Sequence, residues 1–190
     1  SALIPPTAAA IAFFGLRAAI VIVTSIVASV ATEWLCKKLR GKPFIMDGSA
    51  IVTGLLLALT LPSTINPWMV AVGAIFAVGI VKEAFGGLGH NIFNPALGAR
   101  AFMAASFGVE MTTWVLPLST DAVTTATPLN NAVVFSSRLA ARLALYQEMF
   151  LGNRGGSLGE TSAVAILIGA IFLIAWKVID WRIPVFYVIT

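Results

Sequence analysis

The run LRAAIVIVTSIVASVATEWLCKKL, residues 16–39, constrains this chain more than any other stretch. It is long enough for a helix to cross a bilayer, since about 20 mostly apolar residues span ~30 Å of hydrocarbon. It runs directly into Lys37, Lys38, Arg40 and Lys42. Short loops rich in Lys and Arg stay cytoplasmic, so the helix is expected to run from outside to inside. A basic patch that grips anionic lipid or a partner is compatible with the same orientation. Composition agrees with a bilayer protein: 59% of the 190 residues are hydrophobic and 11% charged, where soluble proteins carry charge on about a quarter. The expected class is an all-α, polytopic membrane helical bundle, with lipid around it and no nucleic acid partner.

Residues 3–14 read as a partial span and Gly15 as a break. The opening SALIPPTAAAIAFFG has no basic region or cleavage site of a signal peptide, and the closing WRIPVFYVIT begins a new apolar run. Both ends suggest a fragment of a longer subunit. The single cysteine, Cys36, and the single histidine, His90, argue against a disulfide or a cysteine or histidine metal cluster within the chain.

Asp47 is a candidate helix N-cap for a run of only 16 residues that ends at Pro62, giving a short or broken span of about 24 Å. NPWMVAVGAIFAVGIVKEAF then returns to the cytoplasm, with Lys82 and Glu83 expected near the interface, where charge is cheap. Glu83 and Glu110 are both expected near helix ends and solvated.

Residues 86–108, GGLGHNIFNPALGARAFMAASFG, break the apolar pattern. Gly86, Gly87 and Gly89 relax the backbone, and Asn94 followed by Pro95 is an N-cap with its first helical residue. The spacing predicts a re-entrant loop and half-helix over 86–107, whose N–H groups and positive dipole end face a cavity and favour anions. The alternative is that the glycines permit close helix packing, with His90, Asn91 and Arg100 serving backbone groups or water. The chain therefore divides into membrane helices over 1–107, a long extramembrane excursion over 108–160, and a further helix with the start of another over 161–190. Within the excursion, 136–150 is amphipathic, as Leu139, Leu143, Tyr146 and Phe150 suggest, and lies in the interface or docks a partner. TSAVAILIGAIFLIAWKVI reads as a full span ending near Lys177 and Arg182.

The excursion holds DAVTTATPLN, residues 121–130. A generic Asx or Ser/Thr turn accounts for its polarity, yet Pro128 biases Thr127 toward extended backbone and leaves its hydroxyl projecting. DAVTTAT also fits the acceptor pattern of flavin transferases: Asp121, two variable residues, Thr124, a position where glycine is usual but Thr125 stands, Ala126, and the acceptor Thr127. VTGLLLALTLP and FGGLGHNIFNPALGARAF resemble two membrane signatures of one family. That family contains the D subunit of the Rnf electron-transport complex and the B subunit of the sodium-pumping NADH:quinone reductase, and the compact loop looks closer to the former.

The resemblance covers essentially the whole chain and implies a fold similar to urea transporters, with two repeats around a midplane site. It also implies FMN joined through its phosphate to Thr127 by a transferase outside the cytoplasm, with Asp121, Thr124, Thr125 and Ala126 forming the recognised turn. The implied location is the cytoplasmic membrane of a bacterium or archaeon, with the flavin loop on the outer side. The implied function is relay of electrons among flavins and iron–sulfur centres of partner subunits, one of them a second covalent-flavin subunit, driving Na⁺ or H⁺ translocation. A second, noncovalent flavin such as riboflavin is the other expected cofactor. Gly86, Gly87, Gly89, Asn91, Phe93, Asn94 and Arg100 are then candidate flavin-binding residues. The N–H groups of Ala96 to Gly98 would meet the charge of a reduced ring, and Phe93 and Phe102 would stack on it. A small-solute channel or secondary transporter, or a purely structural subunit, are the competing classes, and neither needs a flavin acceptor.

Overall fold

The computed structural model describes residues 2–41, 43, 45–115, 147, 150, 152 and 155–189, and their regular structure is helical, with no strand among them. The elements are α1 (Ile4–Leu39), α2 (Ser49–Leu59), α3 (Pro67–Ile75), a π-helical segment (Phe76–Glu83), α4 (Pro95–Ser106), α5 (Gly108–Thr112), α6 (Ala163–Ala175) and α7 (Arg182–Ile189).

A straight 36-residue helix would reach about 54 Å, far beyond a bilayer. Gly15 resolves this: at φ 59, ψ −139 it breaks α1 into residues 4–14 and 16–39, as the sequence suggests. Among the described residues α1 is the one helix long and apolar enough to cross a membrane, while α2 and α6 are shorter apolar helices. At 11 residues, α2 is about 16 Å long, a short apolar helix within the run where a short or broken span was expected. The continuous helix formed by α3 and the π-helical segment opens with Pro67 at its first turn behind an extended Asn66.

The hydrophobic core lies where α1, α2, α3 and α4 meet, around Val21, Leu57, Val70, Ala74, Val78 and Met103. Small residues set the spacing. A Cβ on Gly54 would lie 2.8 Å from the Ser25 carbonyl oxygen, so α1 and α2 cross backbone to backbone there, the close approach that membrane helices use in place of a hydrophobic drive. The Ser25 hydroxyl donates to the Gly54 carbonyl at 2.7 Å across the crossing. Gly73 likewise leaves room for the Met103 thioether, and Phe76 stacks on Phe102 with centroids 4.1 Å apart.

Two features differ from the sequence reading. The end of the long excursion is packed into the bundle: Ser157 and Leu158 are buried, as are Thr161 and Ser162 just after it. Leu158 N–H donates to the Leu61 carbonyl at 3.0 Å and Gly159 N–H to the Leu59 carbonyl at 2.7 Å, satisfying carbonyls that the end of α2 leaves without helical partners. In addition, α6 stops at Ala175 after 13 residues, about 20 Å, instead of running on as a full span. Lys177 adopts φ 54, its N–H meets the Ile174 carbonyl, and Val178 N–H meets the Leu173 carbonyl. That is a Schellman cap built on lysine in place of the usual glycine, which is why composition concealed it.

Candidate functional site

Two neighbouring constellations carry the polar chemistry of the described residues: the 86–94 loop with the start of α4, and a buried charge network beside it.

The loop follows the sequence reading in its backbone. Gly86, Gly87 and Gly89 have φ of 115, 99 and 88, values that other residues adopt only with strain. A Cβ on Gly89 would meet nothing within 4 Å, so conformation and not close packing accounts for that glycine. Asn94 is an extended N-cap whose Oδ1 accepts from Ala96 N–H at 3.0 Å and Leu97 N–H at 3.4 Å, with Pro95 opening the helix. Asn91 donates its side-chain amide to the Phe93 carbonyl at 2.8 Å. Ile92 and Phe93 turn outward, 69% and 65% exposed, and His90 is exposed.

The expectation that Ala96 to Gly98 present free N–H groups is corrected by this geometry. Asn94 Oδ1 takes the first two, and Gly98 N–H already bonds the Asn94 carbonyl at 2.9 Å. An anionic flavin edge fits this terminus only by displacing its cap. Arg100 is committed as well, to Glu160 at 3.4 Å, and Phe102 packs on Phe76 instead of offering a free stacking face. What the loop offers a ligand is the outward face of Ile92 and Phe93. Asp121, Thr124, Thr125, Ala126 and Thr127 lie outside the described residues, as do most of 136–150, Lys42, Arg138, Arg142 and Arg154.

The second constellation corrects the expectation that Glu83 is solvated: it is packed inside the bundle beside Lys82. Lys82 is 1% exposed, Glu83 4%, and Glu33, an acid within the last turns of α1, 3%. Lys82 Nζ lies 2.7 Å from Glu33 Oε1 and 2.5 Å from Ser49 Oγ. Ser49 donates both its hydroxyl, at 2.6 Å, and its N–H, at 2.9 Å, to Asp47 Oδ1. Lys37 approaches Glu33 Oε1 at 3.3 Å. Arg40 pairs with Glu83 Oε2 at 3.2 Å and also donates to the Glu83 carbonyl.

Local structure puts these groups together. In the π-helical segment Ala84 N–H reaches back five residues to the Gly79 carbonyl, and such segments recur at functional sites. Its end carries both Lys82 and Glu83 inward, and Gly86 and Gly87 N–H cap it on the Glu83 and Lys82 carbonyls at 3.0 and 3.1 Å. The glycine loop is thus tied to the charge network, and a Cβ on Gly87 would sit 3.7 Å from Glu83 Oε1. Gly48, at φ 76, holds the N-cap position of α2, so Asp47 acts one residue earlier than expected, through Ser49. The Ser49 hydroxyl and N–H, with burial opposing and the Lys82 and Lys37 charges assisting, hold the Asp47 carboxyl below its ordinary value.

Sequence reasoning overlooked Glu33. The signal was available: Ser25, Ser29 and Glu33 recur every four residues and share one face of α1, and all three, with Thr32, are buried.

Comparison with known proteins decides the family. The model of the NQR2, RnfD, RnfE family matches residues 1–190. The chain belongs to this family. It is 47% identical, over 97% of its length, to the D subunit of the proton-translocating ferredoxin:NAD(+) oxidoreductase complex of Clostridium ljungdahlii, covering 58% of that protein. It is 46% identical, over all of its length, to the D subunit of the Na(+)-translocating ferredoxin:NAD(+) oxidoreductase complex of Acetobacterium woodii, covering 59%. The D subunit of the ion-translocating oxidoreductase complex of Stutzerimonas stutzeri is 38% identical, with 62% of its length covered. The chain spans about three fifths of the length of these curated relatives of the NQR2, RnfD, RnfE family. Two relatives of nearly equal identity are named for different ions, so overall similarity does not select between H⁺ and Na⁺.

Proposed function

We propose that this chain is the flavin-bearing membrane subunit of an ion-translocating ferredoxin:NAD oxidoreductase, multi-pass in the cytoplasmic membrane, with the 108–160 excursion on the outer side. The reading rests on one observation: a whole-length family match in a chain that also carries DAVTTAT at 121–127. Thr127 is the acceptor of an FMN phosphoester, and Asp121, Thr124, Thr125 and Ala126 belong to the motif a flavin transferase recognises. Covalently held flavin supplies electron transfer in single steps between iron–sulfur and flavin partners in the other subunits. The residues of this chain hold and orient it.

The 86–94 loop takes a smaller part in this proposal. Gly86, Gly87 and Gly89 give it its shape, Asn91 and Asn94 fix its ends, and Phe93 gives a noncovalent flavin such as riboflavin an apolar face. Arg100 acts at a distance through Glu160. The urea-transporter-like repeat is part of the same proposal and is supported by the family match and the broken helices.

The test is flavin fluorescence of the denatured protein band after expression with a flavin transferase, comparing the parent with Thr127→Val. A fluorescent parent and a dark variant are expected. A dark parent band, with the transferase active on another acceptor, refutes the proposal and returns the threonines to a turn.

A further inference from the structure

The hydrogen bonds around Lys82 form a continuous line. It begins at Asp47, exposed beside the basic end of α1, passes through the Ser49 hydroxyl at 2.6 Å, reaches Lys82 Nζ at 2.5 Å and ends on Glu33 Oε1 at 2.7 Å. Its outer end meets solvent and its inner end is sealed, since Glu33 and Lys82 are 3% and 1% exposed. The groups around it come from every element packed there: Glu33, Cys36, Lys37 and Arg40 from α1, Asp47 before α2, and Glu83 beside Lys82. A buried ion pair is weak evidence for stability, whereas an ionisable pair within membrane helices, here on a π-helical turn, points to a working site. Beyond Glu33 the same face of α1 continues with Ser29, whose hydroxyl is buried without a partner, and Ser25.

We propose that Asp47, Ser49, Lys82 and Glu33 form a proton-transfer station that connects the basic end of the bundle with a buried carboxylate. Every link is an N–H or O–H donor facing an oxygen. Transfer balances as follows. The Ser49 hydroxyl, which donates to Asp47 at rest, first turns toward Lys82; as Lys82 releases a proton to Glu33 it takes the Ser49 proton, and a protonated Asp47 gives its own to Ser49 Oγ, which leaves the hydroxyl directed at Asp47 again. Asp47 ends as the carboxylate, Glu33 as the acid, and Ser49 and Lys82 are unchanged. With Glu33 neutral, the Lys82 ammonium keeps its hydrogen bond to Ser49 but loses its ion-pair partner.

This inference deepens the proposed function, with the proton as the ion handled at this site. The full-length protein in its complex, reconstituted in vesicles, is supplied with reduced ferredoxin and NAD. Proton uptake per NADH formed is read by a pH dye, and Na⁺ uptake by a Na⁺ electrode. Ser49→Ala is expected to lose proton uptake, and Ser49→Thr, which keeps the hydroxyl, to restore it. Unchanged proton uptake per NADH in Ser49→Ala overturns the inference, and so does loss of Na⁺ uptake in its place. A parent complex that moves no ion refutes the proposed function and leaves a second reading of the station. In the lipid-embedded protein, an acid pulse is expected to convert a carboxylate to the acid by infrared spectroscopy, absent in Glu33→Gln and slowed in Ser49→Ala. The same signal in Glu33→Gln, or the same rate in Ser49→Ala, overturns the station on its own.

Discussion

At the basic end of the bundle, Glu33, Lys37, Arg40, Asp47, Lys82 and Glu83 are drawn into ion pairs and hydrogen bonds, with Lys82 fully enclosed. The 86–94 loop, which follows directly on that network, does the reverse: it satisfies its own polar groups through Asn91 and Asn94 and turns Ile92 and Phe93 outward. The first region places charge where water is excluded, and the second places apolar side chains at the surface of the chain. Each is costly alone. The difference teaches that the network needs its own members to be tolerable, while the loop needs a lipid, flavin or protein surface laid against it.

The largest expected effect tests the first half of that contrast. Lys82→Met leaves the Glu33 carboxylate without its nearest cation, and breaking a buried pair costs about 3–5 kcal/mol. A large drop in the thermal midpoint in detergent is expected. The double variant Lys82→Met with Glu33→Gln removes both charges and should recover most of the loss. A single variant as stable as the parent would mean that Lys37, 3.3 Å from the same oxygen, carries the pairing.

How legible each region was from sequence follows from the same contrast. Gly86, Gly87, Gly89, Asn94 and Pro95 speak through local backbone chemistry: positive φ, a cap and a fixed first turn. Those features need no knowledge of the partner helix, and the structure has them where the sequence puts them. Gly15 is legible for the same reason. The burial of Lys82 and Glu83 was not legible because it depends on the phase of a helix that changes its hydrogen-bond step over Phe76–Glu83, and nothing in FAVGIVKE announces a π-helix. The free N–H groups attributed to α4 were misjudged at shorter range: the same Asn94 that signals the helix start also consumes its donors. Glu33 was visible in the spacing of Ser25 and Ser29, and its neighbours Lys37 and Lys38 drew attention to topology instead.

A glycine in each region sharpens the comparison with a smaller effect. At Gly54 the obstruction to a side chain is backbone, with the Ser25 oxygen 2.8 Å from the added carbon, so Gly54→Val must separate α1 from α2 and is expected to cost about 3 kcal/mol. At Gly89 the space is open and the φ of 88 alone resists a side chain, so Gly89→Ala should cost about 1 kcal/mol. Chemical or thermal unfolding of the two variants against the parent reads the difference. Equal costs would mean that the loop is held as tightly as the crossing, and its exposed face would then need no covering surface.

The smallest effect concerns the point where the network meets solvent. Asp47 is held below its ordinary value of 3.8 first by the Ser49 hydroxyl and N–H, and then by Lys82 and Lys37. A depressed carboxyl contributes stability that is fully present well above the ordinary value and is lost as the pH falls through the lower, folded one. Because Asp47 is exposed, screening limits the contribution to a few tenths of a kcal/mol. Asp47→Asn keeps an acceptor for Ser49 and removes the charge, so the parent should be slightly more stable near neutral pH and the gap should close below the ordinary value. A gap that persists in acid would assign the effect to hydrogen-bond geometry alone. A gap well above about 1 kcal/mol at neutral pH exceeds what a solvated pair supplies, and would mean that the Asp47 charge acts on Lys82 through the protein interior, carrying the enclosed region out to the surface.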